Sequence, residues 1–232
     1  MSDFSHLTPF PPNPEVMSRI RPMASKDCPY VAKLHYDEIK SSFWSKLGFY
    51  FIKNLYGMLI DNPYFCAYVY EEDGQVLGFI AGSTDTKKLF LETIKKHFDK
   101  LIWITLISII KHPNTLYRVF TTPVYFALSK PKFADIKAES IFCAFKPELR
   151  GKRVSGYTNK VLFDKFFELG FDYVKITTEI TNPGSNRQLL SWGFEEVSNF
   201  KFYQKDMRIY VLKLLNHPRI DQSLRKSSQG AE

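Results

Sequence analysis

The sequence predicts an α/β fold: a mixed, largely antiparallel central sheet flanked by helices, with a helical insertion between strands. Three observations carry this. Two β-rich runs, 64–71 and 75–83, flank Glu72-Asp73-Gly74, and an Asp-Gly step between such runs specifies a tight hairpin. A β-rich run at 138–145 feeds a glycine-containing turn and a helix that stops at Gly170, where the next β-rich run begins. Two final runs, 194–200 and 206–214, alternate as an antiparallel pair.

Residues 1–17 are proline-rich and read as a loose segment. A short strand at 19–23 opens the domain. Asp27 is placed to cap a helix, with Pro29 in its first turn and Val31, Leu34 and His35 on one face. A second helix at 43–60 repeats Leu47, Phe51, Leu55 and Leu59 at intervals of four, and Asn62-Pro63 ends it. After the hairpin comes the insertion, 86–137. Leu91, Ile94, Phe98, Leu101 and Ile102 keep helical spacing as an apolar face that needs burial, until His112-Pro113 breaks the run. A further helix is expected at 116–128, interrupted at Pro123. The strand at 138–145 is closed by Lys146-Pro147-Glu148. A helix to Leu169, a strand at 171–179 and a short helix from Asn182 to Trp192-Gly193 lead to the final pair. The polar residues 216–232 read as a disordered tail, leaving one domain at 18–215.

Composition narrows the function. Of 232 residues, 44% are hydrophobic and 24% charged, enough for a sizeable core and incompatible with a disordered chain. Three scattered cysteines (Cys28, Cys66, Cys143) form no metal or disulfide pattern and read as small buried hydrophobes. The longest apolar run, Leu101–Ile110, is too short to span a bilayer, and the first residues show no basic region followed by an apolar one. The expectation is a cytoplasmic protein. The net charge is +8, and residues 86–137 hold ten basic against three acidic side chains. A basic segment attracts phosphorylated ligands, nucleic acid or anionic lipid. No nucleic-acid motif accompanies it, which argues against that partner; contact with a membrane surface stays open.

The chemistry-bearing stretch is Arg150-Gly151-Lys152-Arg153-Val154-Ser155-Gly156, between a strand and a helix. A helix N-terminus offers free backbone N–H groups and a positive dipole end, and three basic side chains add charge: an anion site suited to a pyrophosphate.

That stretch, the following YVKITTE strand and NPGSNRQLLSWGFEEV resemble the GCN5-related N-acetyltransferase superfamily. The segments IRPMASKDCPYVAKLH, SSFWSKLGFYFIKNLY and VYEEDGQVLGFIAGS are similar to a subgroup associated with bacterial surface-sugar pathways. The resemblance spans about 19–214 and implies acetyl-CoA as acyl donor and a small-molecule amine, such as a nucleotide-linked amino sugar, as acceptor. It implies cofactor contacts from Cys143, Phe145, the 150–156 loop, Asn182 and Ser185. Arg153 and Ser155 stand where the family carries glycine and Gly or Ala, and Leu189 stands where many members carry a proton-donating tyrosine. Glu139 is the implied base, with Glu179 its rival. Tyr203, near the last hairpin, is the candidate proton donor to the sulfur, with Tyr210 the other tyrosine there. The oxyanion donor is expected near Ala144 or Phe145. A non-catalytic module of the same fold, holding the cofactor or regulating a partner, is the alternative.

Overall fold

The computed structural model describes residues 4, 7, 10–40, 42–113, 135–202 and 205–225. Its frame is a seven-stranded sheet. In chain order the strands are β1 (Ile20–Pro22), β2 (Phe65–Glu72), β3 (Gln75–Ser83), β4 (Glu139–Phe145), β5 (Tyr173–Glu179), β6 (Glu195–Phe202) and β7 (Lys205–Lys213). In space they run β1-β2-β3-β4-β5-β7-β6. Every neighbouring pair is antiparallel except β4–β5. The β2–β3 turn is the expected tight hairpin, with Asp73 and Gly74 both at positive φ.

Helices cover both faces. They are α1 (Pro14–Ser18), α2 (Cys28–Glu38), α3 (Phe43–Lys46), α4 (Phe49–Leu59), α5 (Thr86–Lys96), α6 (Phe98–Lys111), α7 (Val154–Glu168) and α8 (Pro183–Ser191). Strand alternation sorts β3 between two layers. Phe79 and Ala81 pack with Val31, Ala32, Ile52 and Tyr56 of α2 and α4. Ile80 packs on the other side with Leu162, Phe163 and Phe166 of α7 and with Trp192. With helices on both faces, β3 is buried along almost its whole length and reads as a continuous apolar run.

Several local expectations need correction. The single helix at 43–60 is two, α3 and α4, because Gly48 adopts φ +91°, outside the helical range. Asp27 precedes α2 but its carboxylate does not cap it. Asp27 instead accepts two hydrogen bonds from Arg21 (2.6 and 2.9 Å) and one from the Ala24 amide (2.8 Å). The insertion also breaks once more than its spacing suggests, at His97 between α5 and α6. Of the five residues read as its apolar face, Leu91, Ile94, Phe98 and Ile102 are exposed, and Leu101 alone is partly buried. Ile104 and Ser108 on the opposite side are the buried positions of α6. The helix expected at 116–128 lies outside the described residues.

The chain ends also pack. Phe10 meets Tyr157 and Trp192 at ring-centroid distances of 4.5 and 5.7 Å. Residues 216–225, read from composition as loose, bury His217 and Ile220 against the α7–α8 side. His217 stacks on Trp192 and hydrogen-bonds its carbonyl at 2.9 Å.

Candidate functional site

The site starts from a defect in the sheet. β4 and β5 pair only at Glu139–Lys175 and Ser140–Ile176, and the parallel strands then part. On its other edge β4 carries an extra residue. Phe142 faces Ala81 and Ser140 faces Gly82, so Ile141 has no opposite number. This bulge switches which backbone groups point where. Before it, Ala138 points its carbonyl at β5, accepting from the Lys175 amide at 3.0 Å. After it, Lys146 donates to the Leu77 carbonyl at 2.9 Å, on the β3 side. Strand alternation therefore turns the Ala144 amide toward β3 and the Cys143 and Phe145 amides into the gap. Of the two residues near which an oxyanion donor is expected, Ala144 has its amide committed to β3 and Phe145 has its amide in the gap.

Cys143, read from the sequence as a small buried hydrophobe, is instead exposed. Yet the surrounding protein pushes its thiol up to about 12. Both hold if the residue floors an open cleft: solvent reaches it, but protein mass surrounds it. The sulfur stays protonated at neutral pH and is no nucleophile. Phe145 covers Gly78, where a Cβ would lie 2.0 Å from the ring.

At one end of the gap stands the N-terminus of α7. Arg150, Gly151, Lys152 and Arg153 are exposed. Arg153 sits at the N-cap position in the left-handed region (φ +58°, ψ 11°), which explains why glycine suits that place. The Val154 and Ser155 amides are the first of α7 and have no helical carbonyl to serve. Gly156 is needed for close approach, because a Cβ there would lie 2.9 Å from the Phe10 ring. Gln188 of α8 donates to Ser155 Oγ at 3.0 Å, tying the two helices together. Asn182 and Ser185 are brought together as the cap of α8, the Ser185 amide donating to Asn182 Oδ1 at 3.1 Å. Arg219 was missed by sequence reasoning because the tail was read as loose. Its guanidinium lies 5.2 Å from the Phe10 and Trp192 ring centres. Its pKa is lowered by burial first and by nearby Arg153 second.

At the other end stands Glu139, with a side-chain exposure of 16%. Its Oε2 accepts from Thr86 Oγ1 at 2.8 Å and lies 3.8 Å from Lys175 Nζ. Burial raises its pKa; Lys175 and Thr86 oppose the rise. Glu179 is ion-paired with Lys205. Tyr210 is fully buried and donates to Asn186 Oδ1 at 2.9 Å, so its hydroxyl is committed to the core. Leu189 is buried among Phe163, Trp192 and Phe194. Tyr203 lies outside the described residues.

No family model matches the sequence, and no curated protein matches it. Solved structures do. A Brucella melitensis ribosomal-protein-alanine N-acetyltransferase is 16% identical, aligned over 84% of this chain and 99% of its own, with a TM-score of 0.55. A Vibrio cholerae spermidine N-acetyltransferase variant is 13% identical over 87% and 97%, with a TM-score of 0.54. An N-acetyltransferase from Staphylococcus aureus is 14% identical over 84% and 96%, with a TM-score of 0.53. At these identities the likeness establishes the fold: the mixed, open sheet expected from the resemblance.

Proposed function

We propose that this chain transfers an acetyl group from acetyl-CoA to a primary amine. One observation carries the reading: the β4–β5 gap, into which the Cys143 and Phe145 amides point and at whose rim the basic start of α7 stands. The fit is good for an elongated thioester with a diphosphate. Strand amides suit a pantetheine arm, and the Val154 and Ser155 amides with Arg150, Lys152 and Arg153 suit a pyrophosphate. When bound, acetyl-CoA supplies an activated acyl group; the chain's own residues orient it and manage charge and protons.

In this reading the Cys143 amide donates to the acyl oxygen, where negative charge develops on attack, and the Phe145 amide holds the adjoining arm. Glu139 lies about 13 Å from Cys143 by strand rise, so it takes the ammonium proton through water rather than directly. Its raised pKa suits a base. The acceptor class to test first is a nucleotide-linked amino sugar. Exposed Lys87 and Lys88 follow Thr86, which holds Glu139, and so place positive charge beside the base. The similar solved structures are named for other amines, a ribosomal protein alanine and spermidine.

The test is calorimetry with acetyl-CoA followed by thiol release against a panel of amines. Binding with turnover of one amine class supports the reading. Absence of binding removes it. Leu189 and the committed hydroxyl of Tyr210 favour a second reading, a non-catalytic cofactor-holding module. Binding without turnover of any amine, including a nucleotide-linked amino sugar, establishes that one instead.

A further inference from the structure

A stripe of large apolar side chains runs along the outer side of α6. Phe98, Ile102, Leu106 and Ile110 recur every four residues and are 45–80% exposed; Trp103 beside them is 65% exposed. The opposite side of the helix is already satisfied, with Ile104 packed among Leu47, Phe51 and Leu55. The preceding helix adds Leu91 and Ile94, each 46% exposed. This is a continuous apolar strip rather than scattered single residues, and such strips mark contact surfaces.

The charge along the strip is mainly positive. Lys95, Lys96, Lys100 and Lys111 are all exposed on these two helices, against Glu92 and Asp99. Among the described residues none of the four lysines lies within ion-pairing distance of a carboxylate. Lys111 sits 5.9 Å from the Tyr50 ring centre, a contact that leaves its charge in place.

We propose that the α5–α6 face docks on the surface of an anionic phospholipid bilayer. Ile, Leu, Phe and Trp on one side of a helix with lysines along its edge are the composition of helices that lie in a membrane interface. The lysines complement acidic headgroups, and Trp103 suits the headgroup level. Among the described residues no helix is long and apolar enough to cross a membrane, so the contact is parallel to the surface. A second copy on the same face would set two lysine edges against each other. The inference does not rest on acetyl transfer, but it bears on it. The helix pair begins at Thr86, whose hydroxyl holds Glu139, so docking brings that end of the gap toward the membrane.

Flotation of the full chain with vesicles tests this. Vesicles of phosphatidylcholine with about one third phosphatidylglycerol retain the protein, and vesicles of phosphatidylcholine alone bind it about tenfold more weakly or worse. Ile102→Glu and Ile110→Glu, both at exposed positions, each lower affinity for the anionic vesicles by about tenfold or more with unchanged circular dichroism. Lys96→Glu and Lys100→Glu do the same, and high salt weakens the wild type. Bromine-labelled lipid quenches part of the tryptophan emission, and Trp103→Phe abolishes that quenching. Three results overturn the proposal: no binding to the anionic vesicles, affinity indifferent to both isoleucine substitutions, or a solution dimer that Ile110→Glu dissociates. Resistance of Trp103 to acrylamide quenching without vesicles also overturns it, because the face would then already be covered.

Discussion

Arg153 occupies a left-handed backbone conformation that glycine adopts more cheaply, and it does so at the mouth of the candidate site. Two opposed effects follow, and one substitution separates them. Arg153→Gly relieves a strain of about 1 kcal/mol, less what glycine's extra unfolded-state freedom costs, so urea denaturation shows an unchanged or modestly higher stability. The same change removes a charged donor, and acetyl-CoA affinity falls about tenfold at low salt, with the difference shrinking at high salt. Tighter binding in the glycine variant would mean that the arginine obstructs the site. Glu139 makes a second residue-level expectation. Glu139→Gln lowers turnover by about 10²-fold or more while calorimetry shows acetyl-CoA binding intact, and the acidic limb of the pH–rate profile disappears. Wild-type rates would shift the role to another base. How much of this was legible differs by residue. The basic loop could be read because its residue types and its place between a strand and a helix are local, whereas Glu139 entered only as the base that the family resemblance implies. Arg219 could not, because its place near Arg153 depends on a tail whose polar composition gives no hint of docking.

Among the elements, β4 shows where sequence patterns stop. Its existence follows from a β-rich run, but the bulge at Ile141 leaves no mark in hydropathy, and it is the bulge that aims Cys143 and Phe145 into the gap. The sequence therefore offers no ground for separating Ala144 from Phe145, whose amides point opposite ways. The helices tell a similar story. Four-residue spacing correctly marks α4 and α6 as helical, yet it cannot say which side of α6 is covered, and the side read as buried is the bare one. A test at this scale uses Gly78, the partner of Phe145 in the β3–β4 ladder. Gly78→Ala puts a methyl group where the Phe145 ring now lies and forces the ring toward the gap. Thermal and urea melts show a loss of roughly 1–3 kcal/mol. Acetyl-CoA affinity falls with it. Retained affinity would place the acyl donor elsewhere.

For the molecule as a whole, two buried imidazoles contribute to acid stability. His35 lies between Tyr56 (2.8 Å) and Ser42 (3.2 Å) with no exposure, and burial lowers its pKa to about 3. Burial likewise lowers His217 to about 4. Both groups bind protons more readily unfolded than folded, so their stabilising effect is complete above pH 6.5 and is lost as the pH falls toward 4. By pH 5 the loss is on the order of 2 kcal/mol for each histidine. Denaturation curves show it, and His35→Gln flattens the slope while lowering stability at pH 7. A flat wild-type profile would mean that neither ring is held neutral. The single parallel junction of the sheet has a kinetic meaning as well. The hairpins β2–β3 and β6–β7 close through neighbouring residues, whereas β4 meets β5 only after the whole of α7 has crossed over, and then through two residue pairs. Distant contacts with so small a reward form late on the folding path and open early in native-state exchange. The cleft between those strands is thus absent while only the two hairpins are in place, and a chain at that stage has nothing with which to grip a ligand there.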